Sequence, residues 1–329
     1  GRFSELADRR LGRRRLLCRD RDQQELVWSV RRAGLNLLTS CRGPGKPIAG
    51  IEDVCVRPAR LPEYVAGLRE ILDRLGLEAS FYGHACSGEL HVRPTLDLHR
   101  ADDLARLREV ADEVSELALR FRGSLAAEHG VGIARTEYIA DHLGPELVAA
   151  NHEIKDLFDP EGVMNPGKIL DQGRFKIDRD LRLGVGSDLV LPFVPQLGFV
   201  DRDRSFVGNL EQCNGCGGCL KEAPTMCPTF IAVGDEIQST RGRANTIRAA
   251  LEGRFEGGAL GSRELDEALS DCLSCKACRT ECPSNVDLAQ LKAELLHARH
   301  RANGVALVDR VVAAADLLGR LGTWLPWLA

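Results

Sequence analysis

The chain has 329 residues, of which 44% are hydrophobic and 5% aromatic, and its formal net charge is −4. This length suffices for roughly two or three domains with ordinary hydrophobic cores. The small net charge argues against a nucleic-acid partner, and the lack of a run of about eighteen apolar residues predicts no transmembrane helix.

The N-terminal segment, residues 1–22, mixes many arginines with acidic side chains. Such mixed charge is typical of a solvated helix face or a linker, and less typical of a transit peptide. The chain begins with Gly1 instead of methionine and has no signal-peptide pattern. We therefore expect it to be the central part of a longer protein.

The next stretch predicts helices packed on a small sheet. Apolar residues at helical spacing predict a helix over residues 24–39, with Arg31 near its centre. A loop rich in glycine and proline then contains Lys46. Apolar patterning further predicts a strand, an amphipathic helix and a second strand, over residues 51–57, 61–76 and 78–83.

Two histidines, His84 and His91, lie on either side of a predicted turn at Ser87-Gly88. A strand–turn–strand hairpin would bring the two imidazoles close together. Facing imidazoles are useful when they share a metal ion, while the simpler alternative is two surface histidines. This stretch alone leaves both interpretations open.

A charged amphipathic helix is predicted over residues 101–122 and leads to the pair Glu128-His129. Small residues and glycines around this pair would let the backbone approach a ligand closely. Glu128 is a candidate to complete a site with His84 and His91 that leaves one metal position open. His129 is a candidate proton acceptor.

The rest of this half is predicted to be two helices and an irregular turn. The helices cover residues 133–142 and 145–158, and the turn contains Asn165-Pro-Gly-Lys168. Residues 173–205 are mixed in character and predict a linker that packs on one of its neighbours.

Eight of the twelve cysteines form two sets, each with three cysteines at three-residue spacing and a final Cys-Pro. This is the bacterial ferredoxin pattern, in which thiolates bind a [4Fe–4S] cluster. Zinc ribbons, the alternative, use two separated Cys-x2-Cys pairs. The pattern therefore predicts two [4Fe–4S] clusters and electron transfer. Thiols at ligand spacing also favour a reducing compartment over a disulfide framework.

In two-cluster ferredoxins the fourth cysteine of each run ligates the other cluster. This rule predicts that one cluster is bound by Cys213, Cys216, Cys219 and Cys282. It predicts that the other is bound by Cys272, Cys275, Cys278 and Cys227. The crossed ligation would connect both ends of the domain, so loss of one cysteine should damage folding as well as redox function.

The spacer between the cysteine sets predicts a helix that begins near Ser239 and ends near residue 251. Its residues Arg241 and Arg243 could offset the negative charge of the clusters, or could form surface pairs. A long helical spacer of this kind is typical of an α-helical ferredoxin.

Two helices are predicted near the C-terminus, over residues 286–301 and 305–320, followed by Trp324 and Trp327. This apolar end could touch a membrane surface. We prefer packing against a further module beyond the chain.

Three motifs occur in order: Gly-His-x5-Leu-His-Val, Ala-Glu-His-Gly-Val-Gly and Phe-Asp-Pro-Glu-Gly-Val-Met-Asn-Pro-Gly-Lys-Ile. Together they resemble the C-terminal half of FAD-linked D-2-hydroxyacid dehydrogenases, the group that includes glycolate oxidase, D-lactate dehydrogenase and D-2-hydroxyglutarate dehydrogenase. The resemblance covers residues 24–172. Residues 200–329 resemble the ferredoxin part fused to such enzymes in large bacterial FAD/iron–sulfur oxidoreductases. One departure is the turn Cys86-Ser-Gly-Glu89, where the family often has Gly-Asp-Gly-Asn.

The resemblance implies roles for particular residues. It implies that His84, His91 and Glu128 hold a divalent metal, zinc by preference, and that His129 is the catalytic base. Substrate-carboxylate binding is implied for the two basic residues Arg31 and Lys46. Proximity to the flavin is implied for the turn residues Asn165 and Lys168.

The resemblance also implies the overall organisation. We expect an α+β cap domain with an antiparallel sheet, followed by an α-helical ferredoxin domain. The expected parts are a cap, a linker, a 2[4Fe–4S] domain and a C-terminal helix, over residues 1–172, 173–205, 206–303 and 304–329. FAD would be bound mostly by an upstream domain, and a downstream cysteine-rich module would receive electrons.

The expected function is oxidation of a small D-2-hydroxyacid to the 2-oxoacid, with electrons leaving through the clusters. The alternative is a non-catalytic iron–sulfur electron-transfer module in which the histidines are structural. We expect a cytoplasmic location, with peripheral contact at the inner membrane face as an option.

Overall fold

The computed structural model describes residues 16–199, 205–221 and 225–324. The first half contains one helix before the sheet, α1 (Arg21–Thr39), and one inserted in it, α2 (Leu61–Arg74). Three more helices follow the sheet: α3 (Ala101–Arg120), α4 (Thr136–Leu143) and α5 (Pro145–Phe158).

The sheet is small and antiparallel. Its strands are β1 (Lys46–Pro47), β2 (Val54–Cys55), β3 (Ala79–His84) and β4 (Glu89–Leu96). Strand β4 is central: β3 pairs along one edge of it, while β1 and β2 pair with its two ends along the other. The predicted strand over residues 51–57 is thus reduced to Val54–Cys55, and Cys55 also exchanges two backbone hydrogen bonds with Ser124.

The first hydrophobic core lies between the sheet and helices α2 and α3. Tyr64 and Leu68 of α2 face Leu107 and Val110 of α3, and all four side chains are almost fully buried. The spacing of four residues between Tyr64 and Leu68 places both side chains on one helix face. This core holds β4 rigidly, and β4 carries the histidine predicted to be functional.

Gly88 fixes the turn between β3 and β4. Its φ is +78°, and a Cβ at this position would lie 1.8 Å from the carbonyl oxygen of Val56. Only glycine adopts this conformation at such close backbone approach without strain. The carbonyl of Gly88 also accepts a hydrogen bond from the amide of Val56, at 3.0 Å, so the hairpin is attached to the chain just after β2.

The second half is helical. Short helices are α6 (Phe206–Leu210), α7 (Pro228–Val233), α9 (Gly258–Gly261) and α11 (Ala277–Glu281). The longer helices are α8 (Thr240–Leu251), α10 (Arg263–Ser270) and α12 (Leu288–Asn303). Ile247, Leu265 and Leu291 from the three longer helices are fully buried in a second core, which also includes cysteines of both sets.

The segment between the halves packs on both of them. Ile177 is buried in the first core, whereas Phe199 is buried in the second. The buried carboxylate of Glu294 accepts a hydrogen bond from the backbone amide of Gln196, at 2.9 Å. Direct contacts join the halves as well, since Lys46 Nζ donates to Gln212 Oε1 at 2.7 Å.

At the C-terminal end, the helix predicted over 305–320 is divided in two, α13 (Leu307–Ala313) and α14 (Ala315–Trp324). Trp324 is 87% exposed, and Trp327 lies outside the described residues. Within the described part of the chain, no helix has the length and apolar character needed to span a membrane.

Candidate functional site

The β3–β4 hairpin brings His84 and His91 together. Tyr82 pairs with His91 and His84 pairs with Glu89 in the strand register, so the two histidines are diagonal neighbours. Their ring centroids are 5.6 Å apart. His91 is buried on the central strand and His84 is exposed at the end of β3, so one imidazole is fixed by the core and the other borders solvent.

Glu128 completes the group predicted from sequence. Its Oε1 lies 3.1 Å from His91 Nε2 and 3.6 Å from His84 Nε2. The fully buried carboxylate of Asp53 positions this segment, because it accepts hydrogen bonds from the backbone amides of Glu128 and His129, at 3.2 and 2.9 Å. Residues 125–127, which follow the backbone bridge between Cys55 and Ser124, thereby place Glu128 next to the histidines.

Glu89 is a fourth group that the sequence interpretation missed. Its Oε1 lies 3.4 Å from His91 Nε2, and the ligand atoms of His84, Glu89, His91 and Glu128 lie within 4.8 Å of one another. The signal was present in the sequence: Glu89 and His91 are two residues apart on one strand and therefore point to the same face.

Electrostatics at these four residues fit a bound cation. Burial, followed by the nearby charge of Glu128, raises the pKa of Glu89 above its usual value. Glu89 Oε1 is buried and has no hydrogen-bond partner among the described residues. Two imidazoles and two carboxylates of this kind are ligands for divalent zinc. A divalent ion would relieve the repulsion between the carboxylates and would satisfy the buried oxygen.

His129 stands beside this group. Its ring stacks on that of His91, with centroids 4.9 Å apart and an interplanar angle of 8°. Its Nδ1 lies 3.1 Å from Oε1 of the buried Glu52, and its Nε2 lies 3.4 Å from Glu128 Oε1. Glu52 also forms an ion pair with Arg93. One ring nitrogen of His129 is therefore held by a carboxylate, and the other faces the candidate metal site.

The two basic residues predicted to bind substrate lie in different places. The guanidinium of Arg31 lies over the ring of Tyr82, 5.2 Å from its centroid, and that ring is 4.8 Å from the ring of His91. Lys46 Nζ hydrogen-bonds to Gln212 and to the carbonyl of Cys41. Arg31 thus adjoins the histidine group, whereas Lys46 lies at the contact between the two halves.

A cavity of about 300 Å³ lies at that contact. Lys46 and Arg93 line it from the first half, and Glu211, Gln212 and Cys213 line it from the second. The first cysteine of the first set therefore borders the half of the chain that carries the histidines.

Asn165 and Lys168 lie in the exposed turn predicted from sequence. Asn165 has a φ of +48°, and its Oδ1 accepts a hydrogen bond from Lys168 Nζ at 3.1 Å. The carboxylate of Asp159 accepts hydrogen bonds from the amides of Val163 and Met164, both at 2.9 Å, and so fixes the shape of this turn. Both predicted residues are exposed, so their side chains are accessible to a group outside the described fold.

The cysteines gather in two cavities. One cavity is lined by the first three cysteines of the first set and by the last of the second, namely Cys213, Cys216, Cys219 and Cys282. The other is lined by Cys272, Cys275, Cys278 and Cys227. This is the crossed grouping expected from the sequence. Thr240, at the start of α8, lines both cavities and so lies between the two groups.

A cluster and a single zinc ion require different spacings of the sulfurs. Four thiolates around one zinc ion lie about 3.8 Å apart, given zinc–sulfur bonds of about 2.3 Å in a tetrahedron. In the described part of the chain, no three cysteine sulfurs lie within 4.8 Å of one another. Thiolates that bind separate iron atoms of one cluster lie farther apart than the ligands of one zinc ion.

Comparison with known families agrees with both halves. Residues 2–169 match the model described as FAD linked oxidases, C-terminal domain. That match covers more than half of the chain. The chain belongs to the FAD linked oxidase family. In addition, residues 209–286 match the model described as a 4Fe-4S dicluster domain. The family resemblance and the expected fold class, an α+β domain followed by a helical iron–sulfur domain, are therefore confirmed.

Several relatives match across nearly all of the chain. A D-2-hydroxyglutarate dehydrogenase from Haemophilus influenzae is 30% identical over 92% of the chain, and one from Escherichia coli is 31% identical over 91%. The chain spans 32% of the length of each of these two proteins. The glycolate oxidase component GlcD from Bacillus subtilis is 30% identical over 44% of the chain and 30% of its own length.

The cysteines of the two sets differ in their surroundings. Burial raises the pKa of Cys278 and of Cys282 to about 11, so these thiols must lose protons when they bind metal. Burial alone would also raise the pKa of Cys227, but hydrogen bonds and the charge of Arg243 lower it overall. In the other group, Cys219 Sγ accepts a hydrogen bond from the backbone amide of Arg241 at 3.3 Å.

Proposed function

We propose that this chain supplies the substrate-oxidising centre and the electron exit of an FAD-linked D-2-hydroxyacid dehydrogenase. The observation that carries the proposal is the convergence of His84, Glu89, His91 and Glu128 beside the carboxylate-bound His129. Such a site offers a Lewis acid next to a proton acceptor, which is what oxidation of a hydroxyl group requires.

His84, His91 and Glu128 would hold a divalent ion, zinc by preference, and with Glu89 as a further ligand the ion would take up the substrate by expanding to five-coordination. Bound there, the ion would polarise the substrate oxygens, while FAD would accept two electrons and the [4Fe–4S] clusters would pass them on singly. FAD would be bound mainly by another domain, because the matching family model is that of a C-terminal domain.

His129 would take the proton of the substrate hydroxyl at Nε2. Because Nδ1 lies 3.1 Å from the Glu52 carboxylate, the ring proton of the neutral imidazole is favoured at Nδ1. That tautomer leaves the lone pair of Nε2 directed toward Glu128 and the candidate metal site. Loss of this proton would accompany oxidation of the 2-hydroxyacid to the 2-oxoacid, for which bound FAD would supply the acceptor of the C2 hydrogen and its electron pair.

Arg31 would bind the substrate carboxylate, because its guanidinium lies over Tyr82, whose ring contacts that of His91. A guanidinium binds a carboxylate through two parallel hydrogen bonds. Lys46 would also bind the substrate carboxylate, from the cavity between the halves, which Arg93 lines as a second cation. Asn165 and Lys168, on their exposed turn, would contact the flavin-bearing domain.

The two cavities would each hold one cluster. Cys213, Cys216, Cys219 and Cys282 would ligate one cluster. Cys272, Cys275, Cys278 and Cys227 would ligate the other. We also propose that a cysteine-rich module downstream receives the electrons. The exposed apolar side chains of α13 and α14, among them Leu307, Val312 and Trp324, are available for contact with such a module or with a membrane surface.

The test uses the chain expressed together with its FAD-binding domain and purified without oxygen. D-2-hydroxyacids, each with its L-enantiomer as control, are screened with an artificial dye as electron acceptor, and metals are quantified. We expect turnover of a D-2-hydroxyacid, about eight iron atoms and one further divalent ion per chain. A protein with the clusters but with neither turnover nor the further ion would be an electron-transfer module, and the enzymatic proposal would be wrong.

A further inference from the structure

Arg243 of helix α8 is fully buried, which is unusual for an arginine. Its guanidinium makes hydrogen bonds in four directions. Nε donates to the carbonyl of Ala268, and Nη2 donates to Thr229 Oγ1 and to Gln238 Oε1. The remaining bond runs from Nη1 to Cys227 Sγ, at 3.0 Å.

A buried guanidinium must be compensated by a negative charge, because removing a lone charge from water is costly. None of the four acceptors of Arg243 is a carboxylate: they are a carbonyl, a hydroxyl, an amide oxygen and a sulfur. Among them only the sulfur of Cys227 can carry a negative charge, as a thiolate. Arg243 is therefore placed to compensate a thiolate at Cys227.

We propose that Arg243 raises the reduction potential of the cluster bound by Cys227, Cys272, Cys275 and Cys278, and that it does not act comparably on the other cluster. The inference rests on the two-cluster ligation proposed above. It assigns a specific tuning role to one residue that touches a ligand sulfur and is not itself a ligand.

The physical reason is charge. Reduction adds one electron to the cluster, no bond forms or breaks, and the negative charge on the ligand sulfurs increases. A cation that donates a hydrogen bond to one of these sulfurs stabilises the reduced form more than the oxidised form. Hydrogen bonds to sulfur, net charge and solvent exposure are the levers by which proteins set cluster potentials. Burial strengthens the effect, because water does not screen the Arg243 charge.

Arg241, two residues earlier on the same helix, makes a useful contrast. Its guanidinium donates to the carbonyl of Gly215 at 3.0 Å and pairs with Glu236 at 2.8 Å, so its charge is already compensated by a carboxylate. Only its backbone amide approaches a ligand sulfur, that of Cys219. The start of α8 thus gives one cysteine group a neutral donor and the other a cationic donor.

The difference has a functional consequence. A cluster with a raised potential is the more favourable resting place for an electron. Electrons that reach the second half of the chain would therefore collect at the Cys227 cluster.

The test is a redox titration of the full 329-residue chain, with its clusters assembled without oxygen and followed by electron paramagnetic resonance. Four proteins are compared: wild type, Arg243→Gln, Arg243→Lys and the matched control Arg241→Gln. We expect Arg243→Gln to shift the midpoint potential of one cluster to a more negative value and to leave the other unchanged. Arg243→Lys keeps the charge and should give a smaller shift of the same cluster. Arg241→Gln should leave that cluster unshifted.

Iron content separates this inference from the cluster assignment. A wild-type chain without about eight iron atoms would contradict the two-cluster ligation itself. If wild type and Arg243→Gln both hold the iron and both potentials are unchanged, or if both clusters shift equally, the tuning role is wrong. If Arg243→Gln loses the cluster, Arg243→Lys decides: an equal shift of both clusters, or a shift of the other cluster alone, overturns the proposal.

Discussion

The Nδ1 atom of His129 lies 3.1 Å from Oε1 of Glu52, and this pair sets the orientation of the candidate base. Glu52 is buried and is also paired with Arg93, so its carboxylate has little freedom to move. A carboxylate in this position accepts the Nδ1 proton and leaves Nε2 as the basic nitrogen. The arrangement predicts separate effects for changes to the base and to the metal ligands.

Replacement of His129 by Gln is expected to lower turnover by about 10²- to 10⁴-fold, the usual contribution of a general base. The reason is loss of the ring nitrogen that faces both Glu128 and the proposed substrate position. Divalent metal, iron and flavin contents should be unchanged. Steady-state assays with a dye acceptor and metal analysis check this. The exposed His152, changed to Gln, is the control, and an equal loss in both variants would contradict the assignment.

Glu89 is expected to be a metal ligand. Changing it to Ala should weaken divalent-ion binding by about 10- to 100-fold or more, the range seen even for residues that only support a ligand. A chelator competition measured by isothermal titration gives the affinity. The exposed Glu78, changed to Ala, is the matched control. Equal metal affinity in wild type and Glu89→Ala would show that Glu89 only packs beside the site.

The histidine pair could be predicted from sequence because it depends on short-range geometry. A hairpin with side chains that alternate between faces places His84 and His91 together whatever the rest of the fold does. The sequence does not identify Glu89 as a ligand because the pattern places it in the turn, whereas β4 begins at that residue. Glu52 and Asp53 were missed for another reason. They reach His129 across 77 and 76 residues of sequence, and one sequence carries no signal for such a contact.

The cysteine groups could be predicted because ligand spacing reflects the geometry of the cluster itself. By contrast, the division of the C-terminal helix at Ala314 has no glycine or proline to signal it. The sequence indicates Arg243 only as a candidate for charge compensation. Its full burial and its contact with Cys227 depend on the packing of α8 against α10, which is a tertiary property.

The crossed ligation predicts a distinct result for two serine substitutions. Cys282→Ser should perturb the spectrum of the cluster formed by Cys213, Cys216 and Cys219, although Cys282 follows the other three-cysteine run in sequence. Cys227→Ser should perturb the other cluster. Electron paramagnetic resonance combined with iron analysis distinguishes the two clusters. The exposed Cys86, changed to Ser, should have no effect on either. If each substitution instead perturbed the cluster bound by the three cysteines of its own set, the crossed ligation would be wrong.

Arg108 is predicted to stabilise the first half of the chain. Its guanidinium binds Asp178 at 2.7 Å and Glu137 at 3.0 Å. Arg108 of α3 thereby connects helix α4 with the segment that follows the Asn165–Lys168 turn. Hydrogen bonds to charged groups contribute about 1.5–3 kcal/mol each in net terms, and solvent screening reduces the value here. We expect Arg108→Met to lower the free energy of unfolding by about 2 kcal/mol at neutral pH.

The pH dependence of that loss follows from the two carboxyls. The hydrogen bond from Arg108 lowers the pKa of Asp178. Burial alone would raise the pKa of Glu137, but hydrogen bonds from Arg108 and Ile177 lower it overall. Groups with a lowered folded-state pKa stabilise the protein above their unfolded-state pKa, about 4. This stability is lost as the pH falls through the folded-state values.

Urea unfolding of wild type and Arg108→Met should therefore differ most at pH 7, and the difference should shrink below about pH 4 as both carboxyls take up protons. Arg106→Met is the matched control, because Arg106 forms an exposed pair with Asp103 on the same helix and should cost much less. A difference that stayed constant from pH 7 to pH 3 would mean that Arg108 acts through the packing of its aliphatic stem, and the ion-pair argument would then be wrong.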